Sequence, residues 1–180
     1  VKTVPKNITA DTGMDVLVHA LEAYVSPSAN DYTDAFAEKA ISIVFNYLLD
    51  AYRNGDDIEA RQKMHDASCM AGIAFTNAGL GINHSLAHAL GANFHIAHGK
   101  ANALLVNHVI NYNIQNPRAC EKYAQLSRMM RIEGKNNIES SKNLMKAIQI
   151  LKNEMKMPKN IMSLNINRED YANKLDQMAL

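Results

Sequence analysis

The chain has 180 residues, 47% of them hydrophobic and 6% aromatic, with no tryptophan. Its 19 basic and 18 acidic residues leave a formal net charge of +1, which removes the electrostatic case for nucleic acid or an anionic membrane as partner. The length suits one domain with a substantial core, no apolar run approaches the roughly 20 residues a bilayer span needs, and Cys69 and Cys120, without a CxxC spacing, point to a reducing, cytoplasmic setting rather than a disulfide framework.

In chain order, residues 1–8 are expected to be extended, because Pro5 discourages helix. Thr9 or Asp11 can cap a first helix running to about Val25. In it Met14, Leu17, Val18 and Leu21 recur at helical spacing. Asp15 and His19 are four positions apart and so about 40° apart around the axis, at the edge of that apolar arc. Ser26-Pro27 ends the helix. Ser28 with Asp31 resembles a capping box for a second helix to about Arg53, whose stripe is Phe36, Ala40, Ile43, Val44, Tyr47 and Leu48. Asn54-Gly55 marks a turn. Asp56 with Glu59 opens a third helix to about Asn77, where Ala67, Ser68, Ala71, Gly72 and Ala74 form a face small enough for close helix approach.

Gly79 and Gly81 break the chain before a fourth helix, on which Ile82, Leu86, Ala87 and Leu90 share an arc beside His84 and His88. Gly91 and Gly99 bracket the segment carrying His95 and His98. Ala101 to Tyr112 is almost wholly apolar and reads as a buried central helix, although the pattern alone also allows a strand. Asn116-Pro117 starts another helix, continued by Ala119, Tyr123, Leu126 and Met130. After a loop over 133–137, Ile138, Leu144, Ile148, Leu151 and Met155 mark an inward stripe ending before Pro158. Asn167 caps a last helix. The expected fold class is therefore all-α, a helical bundle in one domain over 1–180.

The chemistry concentrates in the histidines. The chain has 7, and four of them, His84, His88, His95 and His98, fall within Gly79–Gly99. The pair Asp15/His19 has a bland reading, a surface carboxylate supporting a histidine, and His84/His88 alone is equally ambiguous. Two helices that each set ligand-type residues beside an apolar stripe, with His98 after a bend, point further. Burying unpaired imidazoles and a carboxylate costs several kcal/mol, on the order given for unpaired polar groups, and a metal ion removes most of that cost. A donor set of one Asp and three His suits Fe(2+) or Zn(2+), and less well Mg(2+) or Ca(2+). It lacks the thiolates of a purely structural zinc clamp, and an open position could polarise a carbonyl or alcohol.

Two stretches, Thr9-Ala-Asp-Thr-Gly-Met-Asp-Val-Leu-Val-His-Ala-Leu-Glu-Ala-Tyr24 and Gly79–Gly99, resemble the signature regions of the iron-containing (group III) alcohol dehydrogenases. The spacing is Asp-x3-His, then His-x3-His-x9-His-Gly, and the likeness extends through Ala101-Asn-Ala-Leu-Leu105. Ile8–Asp15 and Ala71–Gly81 are most similar to the branch with propanol-type and bifunctional aldehyde/alcohol dehydrogenases. The resemblance implies the dehydroquinate synthase-like helical domain of that family. It makes Asp15, His19, His84 and His98 the metal ligands, His88 a catalytic proton relay near substrate and nicotinamide, and Phe75 a wall of the substrate pocket. It leaves His95 at the pocket edge, with His65 and His108 as packing or surface residues.

The implied function is an NAD- or NADP-dependent interconversion of a short-chain primary alcohol and its aldehyde. Fe(2+), or Zn(2+), would polarise the substrate oxygen, and the partners would be small molecules and further copies of the chain. Family members carry an N-terminal α/β domain with a glycine-rich phosphate-binding turn, and a search for G-x-G-x-x-G fails here. The chain opens on Val1. It is therefore expected to be the helical, metal-binding half of a longer dehydrogenase, cut at both ends and inactive alone. Two other readings stand beside this one: a metal-dependent lyase or hydrolase on a related helical scaffold, and a His-rich helical module without enzymatic function.

Overall fold

The computed structural model describes residues 2–178, and among them every regular element is a helix. The α-helices are α1 (Lys6–Val25), α2 (Asp31–Arg53), α3 (Ile58–Ala78), α4 (Ile82–Phe94), α5 (His98–Asn113), α6 (Pro117–Met129), α7 (Asn137–Glu154) and α8 (Arg168–Met178), with a 3-10 turn over Ile161–Leu164. The all-α expectation holds, and Ala101 to Tyr112 is helix rather than strand. No helix among the described residues is long and apolar enough to cross a membrane.

The first helix starts earlier than its residues suggest. Pro5, at φ −62, is the cap residue, and α1 begins at Lys6. Proline lacks only an N–H that a helix start leaves unpaired anyway, and its fixed φ suits the entry. Thr9 is thus inside the helix. Its hydroxyl donates to the Pro5 carbonyl (3.1 Å) and accepts from the buried Arg61 guanidinium (2.6 Å), which also reaches the Val4 carbonyl (3.0 Å). Arg61 thereby ties the entry of α1 to α3.

The caps of α2 and α3 are displaced by two and one positions from those expected, whereas those of α6 and α8 fall where they were expected. Asn30 with Thr33, not Ser28 with Asp31, forms the capping box of α2. Asp57 rather than Asp56 accepts from the Ala60 N–H at the head of α3 (2.9 Å). Asn116 caps α6 ahead of Pro117, and Asn167 accepts from Asp170 N–H (2.7 Å) at α8. Each such cap is worth about 1 kcal/mol.

The centre of the domain is α1, which packs against α2, α3, α5 and α6. Met14, Leu17, Val18, Leu21 and Tyr24 are all buried in the main core, each contributing about 1.5–3 kcal/mol of apolar burial. Of the small face expected on α3, Ala67, Ala71 and Ala74 are fully buried against that core, whereas Ser68 is exposed and Gly72 is half-buried with nothing close to where a Cβ would stand. The helix expected to be buried and central, α5, packs against α1, α4 and α7 with Ala101–Leu104, Val106, Val109 and Ile110 buried, while Tyr112 near its end is exposed. Phe36 and Ile138, expected inward, are also exposed. The stripe of α2 keeps the expected Ala40, Ile43, Val44 and Leu48 and adds Ala37 and Ile41, and Ile138 sits in the first turn of α7, ahead of its buried row.

A smaller apolar cluster of Ala87, Leu90, Ala101 and Leu104 joins α4 to α5. Here the pattern misleads most. Ile82 and Leu86 face outward, while the covered edge of α4 is Asn83, His84, Ala87 and Leu90. Polar contacts at the start of the helix turn its inner face by about one residue.

Candidate metal centre

Asp15 and His19 occupy one face of α1, and α4 and α5 bring three more histidines to them. One ligand-type atom from each of Asp15, His19 and His84 lies within 4.8 Å of the other two. His19 Nδ1 is 3.7 Å from Asp15 Oδ2, and His84 Nε2 is 3.6 Å from Asp15 Oδ1. His98, the first residue of α5, sits with its Nε2 3.4 Å from Asp15 Oδ1 but falls outside that mutually close group. Its ring centroid is 5.4 Å from that of His84.

Phe75, near the end of α3, stacks on His19 with centroids 4.6 Å apart. His88, one turn after His84, is exposed and stacks on His98 at 4.9 Å. His95 is exposed and takes a left-handed conformation (φ 53) as the C-cap of α4. His65 lines a separate cavity beside Arg61, and His108, exposed on α5, lines another next to the Ile161–Leu164 turn.

Three residues of the site were not singled out in the sequence. Glu22, on α1, is buried, with its Oε2 2.6 Å from His84 Nδ1 and its Oε1 accepting from Asn83 N–H (2.6 Å). Asn102, on α5, donates to Asp15 Oδ1 (2.6 Å), and its amide nitrogen lies 3.1 Å from His98 Nε2. Asn83 donates to the Asn102 side-chain oxygen (2.7 Å). A signal for two of them was present. Glu22 is seven residues after Asp15 and Asn102 four after His98, so each shares its neighbour's helical face.

Electrostatics reinforce the grouping. Burial alone would raise the Asp15 carboxyl, but contact with His84, the nearby His19 and His98, and the Asn102 amide outweigh it and leave Asp15 below its ordinary value. Burial pushes His84 down, yet the Asp15 and Glu22 carboxylates overcome this and raise it to about 9. His19 is lowered, by burial against the pull of Asp15. His84 Nε2 is buried and has no hydrogen-bond partner among the described residues. An orphaned imidazole nitrogen aimed at a carboxylate and a second imidazole is the arrangement a borderline divalent cation satisfies.

Comparison with known proteins adds the lineage. Residues 9–180 match the model of the C-terminal part of the Fe-containing alcohol dehydrogenase family. A 1-propanol dehydrogenase of Citrobacter freundii is 47% identical over 180 residues, covering 99% of this chain and 49% of that protein. An NADPH-dependent butanol dehydrogenase of Clostridium saccharobutylicum is 40% identical, covering 97% and 44%. The crystal structure of a 1,3-propanediol oxidoreductase superposes with a TM-score of 0.90 at 37% identity, over 98% of this chain and 46% of that one. The chain thus spans about half the length of these relatives.

Proposed function

The chain belongs to the iron-containing alcohol dehydrogenase family, and from that membership we propose that it is the metal-holding half of a dehydrogenase interconverting a short-chain primary alcohol and its aldehyde. The observation that carries this reading is the orphaned Nε2 of His84, buried between Asp15 and His19. Asp15, His19 and His84 are the residues that would hold Fe(2+), or Zn(2+), with His98 as the fourth donor. A bound divalent ion supplies Lewis-acid polarisation of a substrate oxygen and eases loss of the alcohol proton.

The chain's own residues account for the rest. Asp15 lends its negative charge to the centre of the donor set. Phe75, stacked on His19, forms an apolar wall that orients a short alkyl chain and excludes water on that side. His88 is exposed and in ring contact with His98, so it can carry a proton between the site and solvent at its imidazole nitrogens. Hydride exchange belongs to a nicotinamide cofactor, NAD or NADP. The name of the butanol dehydrogenase relative supports NADP chemistry within the family. The names of the propanol and butanol relatives support a short alcohol as substrate.

The test is metal content together with propanal-dependent oxidation of NADH or NADPH in the whole protein. His84→Ala is expected to lose the bound ion and at least about a hundredfold of the rate, the scale of several kcal/mol of lost charge stabilisation. Unchanged metal content in that variant, or a full rate after chelation, would sink the reading.

A further inference from the structure

Glu22 belongs to no part of the ligand set, and yet its carboxylate is pinned against the start of α4 from three directions. Oε1 accepts from Asn83 N–H at 2.6 Å. Oε2 lies 2.6 Å from His84 Nδ1 and 3.4 Å from the His84 backbone N–H. The helix has no side-chain cap of its own, because Gly81 occupies the cap position. Glu22 therefore supplies from α1 the acceptor that the first turn of α4 leaves wanting, with its negative charge at the positive end of the helix. Gly81 makes this possible. A Cβ there would stand 2.7 Å from Glu22 Oε1 and 3.2 Å from its Cδ.

We propose that Glu22 is the positioning residue of the site, fixing the tautomer of His84 so that its Nε2 lone pair faces Asp15 and His19. The proposal rests on the metal reading above. A carboxylate only accepts hydrogen bonds, so at 2.6 Å it requires the proton of the neutral ring to sit on Nδ1. The lone pair is then on Nε2, which is the buried nitrogen without a partner. The same carboxylate holds the backbone of Asn83 and His84, so ring and main chain are registered together against α1. Partners of this kind orient a ligating histidine and strengthen it as a donor.

Glu22→Gln keeps the shape and removes this property. The amide has one acceptor end and one donor end. With its oxygen on the Asn83 N–H, its NH2 donates to Nδ1 and forces the His84 proton to Nε2, where the lone pair was needed. Two readouts test this. In the metal-free protein under alkaline conditions, nitrogen-15 spectra of labelled histidine are expected to show His84 protonated on Nδ1 in the parent and shifted toward Nε2 in the variant. In Co(II) titrations the variant is expected to bind about 10- to 100-fold more weakly, the range for lost outer partners of a ligating histidine.

Gly81→Ala, which crowds the carboxylate without touching its chemistry, is expected to weaken binding in the same sense. It serves where Glu22→Gln does not fold. An unchanged tautomer with Co(II) affinity within about threefold of the parent overturns the proposal, since that lies below the range expected for such a partner. If the parent itself binds no Co(II), the metal reading fails, and the tautomer comparison still decides the role of Glu22.

Discussion

His84 is held between two carboxylates, and the proton it carries has a consequence for metal uptake. Its folded value is raised to about 9, with burial opposing and Asp15 and Glu22 prevailing. The protonated ring stabilises the metal-free fold, fully so below the ordinary histidine value of about 6.5. That contribution is lost as pH rises through about 9. A cation needs the Nε2 lone pair, so at pH 7 it must displace this proton. Asp15 is lowered and His19 is lowered, so neither holds a proton in the way at that pH. Apparent metal affinity is therefore expected to rise between pH 7 and 9, by up to about tenfold per unit for one released proton, and then level off. Calorimetric titration with Zn(2+) in buffers of differing ionisation enthalpy measures the proton directly, and a flat affinity across that range would contradict the assignment.

The same residue shows what could be read in advance. Asp15/His19 and His84/His88 stand out as two i, i+4 pairs, with His95 and His98 after a bend. It is the resemblance to the family signature, not the spacing, that takes His84 and His98 rather than His88 as ligands. Glu22 did not stand out, since a lone glutamate on an amphipathic helix carries the signature of a solvated one. Only the docking of α4 shows that it is buried.

Between elements, α5 meets the backbone of α1 at Gly99, one residue into α5. A Cβ at this position would overlap the Asp11 carbonyl of α1. The overlap is with backbone, so no side-chain rotation relieves it, and α5 must move away from α1. Gly99→Ala is expected to cost about 1–3 kcal/mol, the range for overpacking a well-filled site. It should also draw His98 and Asn102 back from Asp15. A urea denaturation series, run alongside Co(II) binding, checks both effects. Loss of stability with full metal affinity would mean that the spacing of α5 from α1 does not set the site.

Helix existence and order were legible from periodicity and punctuation, because the apolar stripes of α1, α2, α6 and α7 are long. Two features of the elements were not. The start of α1 at Lys6 depends on Pro5 acting as a cap rather than a breaker. The rotation of α4, which leaves Ile82 and Leu86 exposed and Asn83 covered, is set by hydrogen bonds to Glu22 and Asn102 that no apolar pattern encodes.

At the scale of the molecule, the candidate site opens on one side, where His88 and much of His98 face outward. The His98 side chain is 39% exposed. On the proposed reading these helices supply the metal side of a cleft, and the nicotinamide is held chiefly by a nucleotide-binding part of the kind the family carries. Isothermal titration of the 180-residue chain with NADH is expected to show no binding tighter than the millimolar range, about −4 kcal/mol. Micromolar binding, about −8 kcal/mol, would mean that these helices hold the cofactor alone.

The contact between Asn102 and Asp15 joins positions 87 residues apart in the chain. Closing a loop of that length costs ~4 kcal/mol in chain entropy before any constant term. Helices α1, α2 and α3 can settle on one another through nearer neighbours, whereas the donor set is complete only once the α4–α5 pair has swung back onto α1. The site is thus expected to form late on the folding route. On the proposed reading a bound ion is expected to act as a clasp on the finished structure, slowing unfolding with little change in the folding rate, which stopped-flow kinetics with and without Zn(2+) would measure.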